Sequence, residues 1–121
     1  MVKALFDTNI LIDYLNAVPK ARAELARYDE KAISIVTWIE VMVGASGGVE
    51  NATRAFLGTF QVIGLGESVA DRAVQLRRAH RIKLPDAVVW ASAQQHGMLL
   101  VTRNTKDFPP ADPGVRCPYA L

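Results

Sequence analysis

Three carboxylates stand where a chain normally avoids them. Asp7 ends the apolar run "VKALF" and is followed by "TNILID". Between Lys31 and Glu50 the only formally charged residue is Glu40, inside "TWIEVMV". Between Lys83 and Arg103 the only one is Asp86, in "LPDAVVW". A carboxylate in apolar surroundings costs several kcal/mol unless it finds an arginine, backbone donors or a cation. If these acids share one site, a pair at ~4 Å with an effective dielectric of ~20 repels by about 4 kcal/mol. Such a cluster takes up a proton or binds a cation, and hard oxygen ligands favour Mg²⁺ or Mn²⁺. One cysteine and two histidines in the whole chain argue against a zinc site of nitrogen and sulfur ligands.

A fourth candidate is Asp107, in "LLVTRNTKDF", which follows an apolar run as Asp7 does. It reads equally as an exposed turn residue, since turns commonly carry aspartate. Asn104 is an alternative neutral ligand on the same segment. Thr102 and Asn9 offer hydrogen bonds that could orient a ligand from behind. Asp13, one helical turn past Asn9, reads as a solvated helix residue or, alternatively, as one that supports the site from behind. Beside these acids runs the basic stretch "RAVQLRRAHRIK" (72–83), with Arg72, Arg77, Arg78, Arg81 and Lys83 and no acid. Arg103 and Lys106 lie close to Asp107. Such cations form either an ordinary solvated face or a phosphate-tracking surface beside an acidic metal site. The net charge of +2 is too small to decide between them.

These residues need elements to position them. Residues 2–6 predict a short buried strand, and "TNILIDYL" a helix capped by Thr8 or Asn9. Pro19 breaks that pattern, and "KARAELARY" resumes it with strong helix formers. "AISIV" (32–36) reads as a β-branched strand. Thr37 reads as the cap of the next helix, "WIEVMVGA", with Glu40 close after it. That helix is apolar on nearly every side, which predicts burial. The glycines of "GASGG" (44–48) end it. "ENATRAFLGTF" reads as helix and "QVIGL" as a third strand. Val69, Ala73, Leu76 and His80 recur at helical spacing in "ESVADRAVQLRRAH". Pro85 near the start and Gly97 past the end frame the helix of "LPDAVVWASAQQHG". "MLLVT" is a fourth strand, "TKDF" a helical turn, and "VRCPY" (115–119) a short edge strand limited by Pro118.

This alternation predicts a single α/β domain over 1–121. Its central sheet is mainly parallel, with four to five strands flanked by helices. Ligands of such sheets gather beyond the carboxyl ends of the strands. Asp7, Glu40, Asp86 and the segment after "MLLVT" all fall at such ends or at nearby helix starts. Trp38 and Trp90 read as core, His96 as a partner of the last carbonyls of its helix, and Cys117 as a small buried hydrophobe.

Other classes fit poorly. With 50% hydrophobic and 21% charged residues the chain is not disordered. "MVKALFDTN" has no secretory pattern and no apolar run reaches membrane-spanning length, so a cytoplasmic protein without a membrane partner is expected. "GLGES" and "GASGG" lack the spacing of phosphate-binding loops. A receiver-like signalling domain needs paired acids after its first strand and an aspartate after its third. Here Asp7 stands alone and "QVIGLG" ends without one.

Three motifs, "LFDTNILIDYL", "TWIEVMVG" and "LPDAVVWASAQQHGMLLVTRNTKDF", resemble the PIN-domain ribonucleases in order and spacing. The nearest resemblance is to VapC-type toxins of toxin–antitoxin pairs, and it covers nearly the whole chain. It implies that Asp7, Glu40, Asp86 and Asp107 hold Mg²⁺ or Mn²⁺. The family's fourth position varies between the places of Asn104 and Asp107. The resemblance further implies a metal-dependent endoribonuclease acting on RNA, the toxin of a type II pair, a homodimer, and a small antitoxin that blocks the site. A catalytically silent nucleic-acid or protein-binding domain on the same scaffold is the alternative.

Overall fold

Short, wholly apolar strands need cover on both faces. The computed structural model, which describes residues 2–121, provides it. In chain order the elements are β1 (Ala4–Phe6), α1 (Thr8–Leu15), α2 (Pro19–Leu25), β2 (Lys31–Ser34), α3 (Ile35–Gly44) and α4 (Glu50–Leu57). There follow β3 (Gln61–Ile63), α5 (Glu67–His80), α6 (Leu84–Gln95), β4 (Leu99–Val101) and β5 (Val115–Arg116). The strands form one five-stranded sheet of order β3-β2-β1-β4-β5. Every pairing is parallel, with Ala4 opposite both Lys31 and Leu99.

Strand periodicity divides the core in two. Leu5, Ala32, Ile63 and Leu100 face α5 and α6. Ala4, Phe6, Ile33 and Val101 face the other way, toward Ile10, Leu11, Leu25, Val41 and Leu57 of α1–α4. From β1 the sheet grows outward through β2 to β3 with α1–α4 on one face. The chain then returns across the opposite face through α5 and α6 and lays β4 against the free side of β1. Winding changes direction between β1 and β4, and the crevice beyond their carboxyl ends is where such sheets bind ligands.

Trp90, 2% exposed, is the largest side chain of the α6 face. Its ring meets Phe108 edge-on at 5.7 Å and lies 4.8 Å from that of His80. Trp38 is half-buried with the Arg54 guanidinium over it at 5.2 Å. His96 Nδ1 lies 3.0 Å from the Ser92 carbonyl, at the helix end as expected.

Four local expectations are corrected. Asp7, not Thr8 or Asn9, caps α1, its side chain accepting from the Thr8 amide. The strand expected over 32–36 ends at Ser34, whose hydroxyl accepts from Val36 N at 3.1 Å and caps α3. A serine cap there outweighs the β propensity of Ile35 and Val36, so Thr37 lies inside the helix. Glu40 is then past the first turn, where the helix dipole has faded. Nor is α3 buried: Thr37 and Val41 are, but Ile39 is 50% and Val43 79% exposed. Its apolar circumference exceeds what one sheet face covers. Cys117 is exposed, because β5 ends before it. Among the described residues no helix is long and apolar enough to cross a membrane.

Trp90→Ala is expected to cost roughly 3–5 kcal/mol of unfolding free energy. Urea denaturation followed by circular dichroism measures it, and a loss below about 1 kcal/mol would remove Trp90 from the core.

Candidate metal centre

Asp7 is the first residue after β1, and its amide donates to Val101 O at 2.9 Å. This ties it to the end of β4. The residue is 6% exposed, and its carboxyl accepts three hydrogen bonds. Thr8 N reaches Oδ1 at 2.8 Å, while Thr102 Oγ1 at 2.8 Å and Asn9 Nδ2 at 3.2 Å reach Oδ2. Thr102, buried, is the matching first residue after β4. The crevice between the two strands is therefore floored by a threonine–aspartate pair.

Other side chains extend this floor. Thr8 Oγ1 donates to Glu40 Oε1 at 2.6 Å and lies 3.1 Å from Thr37 Oγ1, joining α1 to α3. Glu40 itself is exposed, at the mouth of the crevice. Asn104 N donates to Thr102 Oγ1 at 2.9 Å. Asn104 Nδ2 donates to Asp107 Oδ2 at 3.0 Å, and Asp107 N returns a bond to Asn104 Oδ1 at 3.2 Å. The two alternatives for the fourth position are thus partners, with Asn104 holding Asp107.

Asp86 sits half-buried in the first turn of α6. Its carboxyl is raised to about 6, first by burial and then by the charges of Asp7, Asp107 and Glu40, against a lowering by Lys83. Asp7 is raised too. Burial dominates there, the Thr102 and Thr8 hydrogen bonds oppose it, and Glu40 adds repulsion. The charges of Asp7, Asp107 and Glu40 thus all act on the Asp86 carboxyl. Among the described residues, no three His, Cys, Asp or Glu side chains form a ready-made metal cage. The side chains of Asp7, Glu40, Asp86 and Asp107 offer oxygen donors only, the donor class that hard divalent cations take.

The expected basic surface is divided. Arg72 Nε donates to Gln94 Oε1 at 2.5 Å and its Nη1 to Gln75 at 2.8 Å. Gln94 lies eight residues beyond Asp86 on α6, about 12 Å along the axis, so Arg72 is away from the acids. Arg77 Nη1 is occupied by Ile82 O at 2.6 Å. Arg78, Arg81, Lys83 and Lys106 are exposed. Arg103 is turned inward: Nε and Nη2 donate to Asp13 Oδ2 and Oδ1 at 2.5 and 3.0 Å. Asp13, expected in solvent, is 6% exposed and also accepts from Tyr119 OH at 2.8 Å. Its partners lie 90 and 106 residues away, so local spacing could not reveal them. Thr8 was missed as the link to Glu40, although its place beside Asp7 was the available signal.

Residues 4–111 match the PIN domain family. The chain belongs to that family. Its structure is similar to a chain of a toxin–antitoxin complex from Klebsiella pneumoniae. That chain is 47% identical, the match covers 98% of this chain and 100% of that one, and the TM-score is 0.94. FitAcB from Neisseria gonorrhoeae is similar at 25% identity, with 98% and 99% covered and a TM-score of 0.83. VapBC2 from Rickettsia felis, bound to a promoter DNA fragment, shares the fold at 22% identity and TM-score 0.75, with 95% and 96% covered. No curated protein sequence matches the chain.

The raised carboxyls of this PIN domain set a pH dependence. Asp86 holds its proton in the folded chain up to about 6, whereas the ordinary value is 3.8. The folded state therefore binds more protons between these values, and this residue's contribution to stability falls as pH rises through them. Asp86→Asn is expected to raise Tm at about pH 7.5 in EDTA and to lose that advantage near about pH 4. A thermal shift equal at both pH values would exclude charge repulsion as its source.

Proposed function

We propose that this PIN domain is the toxin of a type II toxin–antitoxin pair and a metal-dependent endoribonuclease that hydrolyses RNA phosphodiester bonds. The observation that carries the reading is that Asp7, buried, and Asp86, half-buried, lie at the β1–β4 crevice with no arginine partner, with the charges of Glu40 and Asp107 acting on Asp86. The 47% identical chain of a toxin–antitoxin complex supports the biological setting.

Asp7, Glu40, Asp86 and Asp107 would hold Mg²⁺ or Mn²⁺. A divalent ion so held lowers the pKa of a water and stabilises the leaving oxygen of a phosphodiester. The protein's part is orientation and charge. Thr102 and Asn9 fix the Asp7 carboxyl, Thr8 holds Glu40, and Asn104 holds Asp107. With a cation bound, the charges of the other carboxylates would be offset and the Asp86 carboxyl would be free to ionise and help hold it. Arg78 and Arg81 at the end of α5, Lys83 at the start of the Asp86 helix, and Lys106 beside Asp107 are exposed and would offer charge to RNA phosphates. Uncovered Ile39 and Val43 on α3, with Ile12, Leu15 and Val49 nearby in the chain's exposed apolar set, support contact with an antitoxin and a second copy.

Asp7→Asn is expected to reduce Mg²⁺-dependent RNA cleavage by at least about a hundredfold. Its circular dichroism should match the wild type, because the remaining amide oxygen can still accept from Thr8 N and keep the cap of α1. Full cleavage by a folded Asp7→Asn protein would sink the catalytic reading. A flat Mg²⁺ titration by calorimetry in the wild type would favour a silent binding domain.

A further inference from the structure

We propose that Asp13 is a positioning residue of the crevice, acting through Arg103 on the segment that carries Thr102, Asn104 and Asp107. The proposal rests on the catalytic reading above and adds a residue to it.

Arg103 lies between two residues of the site. Before it, Thr102 bonds Asp7; after it, Asn104 bonds Asp107. Helix α1 grips this residue twice. Asn9 Oδ1 accepts from its main-chain amide at 3.2 Å, and Asp13, one turn further along the same helix, takes its guanidinium by two bonds. A bidentate fork fixes the arginine in direction as well as distance, which a single point charge does not. Tyr119, beyond β5, supplies a third donor to the same carboxylate. Residues 102–107 have no helix or strand of their own; beyond the main-chain bond from Thr102 N to Arg116 O at 3.0 Å, these side-chain bonds register them against Asp7.

A buried ion pair is a poor device for stability alone, because desolvation offsets much of the attraction. The side chains of Asp13 and Arg103 are 8% and 28% exposed. What the pair supplies is a fixed relation between α1, which carries Asp7 and Asn9, and the segment that carries Asp107.

The molecule contains a chemically matched control. Glu24 on α2 accepts from Arg116 Nε at 2.7 Å, Arg116 Nη2 at 3.0 Å and Tyr28 OH at 2.8 Å. Its side chain is 4% exposed. This triad has the same kinds of donor and similar burial, with Arg27 Nε a further 3.8 Å from Glu24, but its guanidinium ties β5 to α2. Arg116 meets the segment only through its main-chain carbonyl, which accepts from Thr102 N at 3.0 Å and does not depend on the Glu24 side chain.

The test compares Asp13→Asn with Glu24→Gln in the full chain. Both should lower Tm. Only Asp13→Asn should lower kcat for Mg²⁺-dependent RNA cleavage by about 10- to 100-fold, with KM changed less than about twofold. It should also speed amide hydrogen exchange at Arg103 and Asp107, whose N–H groups bond Asn9 and Asn104. Arg103→Lys keeps the charge and loses the fork, so it should show the same pattern more weakly and serves if Asp13→Asn does not fold. Equal kcat and unchanged exchange in the Asp13 and Glu24 variants would overturn the assignment. If the wild type cleaves no RNA, the catalytic reading fails, and the exchange comparison still decides whether Asp13 holds the segment.

Discussion

The 2.8 Å hydrogen bond from Thr102 to Asp7 joins residues 95 positions apart in the chain. It exists only because the winding order reverses and lays β4 beside β1. Each strand then delivers its first non-strand residue to the same crevice. The remaining polar contacts build outward from that bond: Asn9 and Asn104 both reach Thr102, and Thr8 carries the network to Glu40. Among the described residues no buried side-chain polar atom lacks a partner. Full pairing is what allows a polar network in a dry interior to be rigid rather than costly.

Within that frame two effects oppose each other at the acids. Burial disfavours the ionised carboxyl, while donors from Thr8, Asn9 and Thr102 favour it. At Asp7 burial wins despite three donors. At Asp86 the opposing help is only Lys83, and three like charges add to burial. A structural salt bridge would have drawn an arginine to each acid, as Asp13 and Glu24 each did. The contrast separates two kinds of buried carboxylate in one small domain: those satisfied by a guanidinium and those left to repel one another.

Much of this was readable from residue order. The apolar run ending at Asp7 marked the end of β1, "MLLVT" located β4 but ran one residue past its end at Val101, and Pro85 and Gly97 framed the helix that presents Asp86. The parallel sheet follows from strands that alternate with helices. What could not be read depended on contacts across the chain. Asp13 looked solvated because its arginine is 90 residues distant. Arg103 looked like a phosphate contact for the same reason. Ser34 was hidden as a cap inside a β-branched stretch whose propensity pointed the other way. The exposure of α3 was missed because apolar composition shows what a helix can bury, not whether a partner within the chain is there to bury it.

Helix α3 carries Ile39, Glu40 and Val43 within one turn, and all three reach solvent. Any surface laid over the two aliphatic side chains also displaces water from the carboxylate between them. The local dielectric then falls, and the field between Glu40 and the acids of the crevice strengthens. Occupancy of an apolar face is thereby felt as a change in voltage at a polar one, with no movement of the backbone.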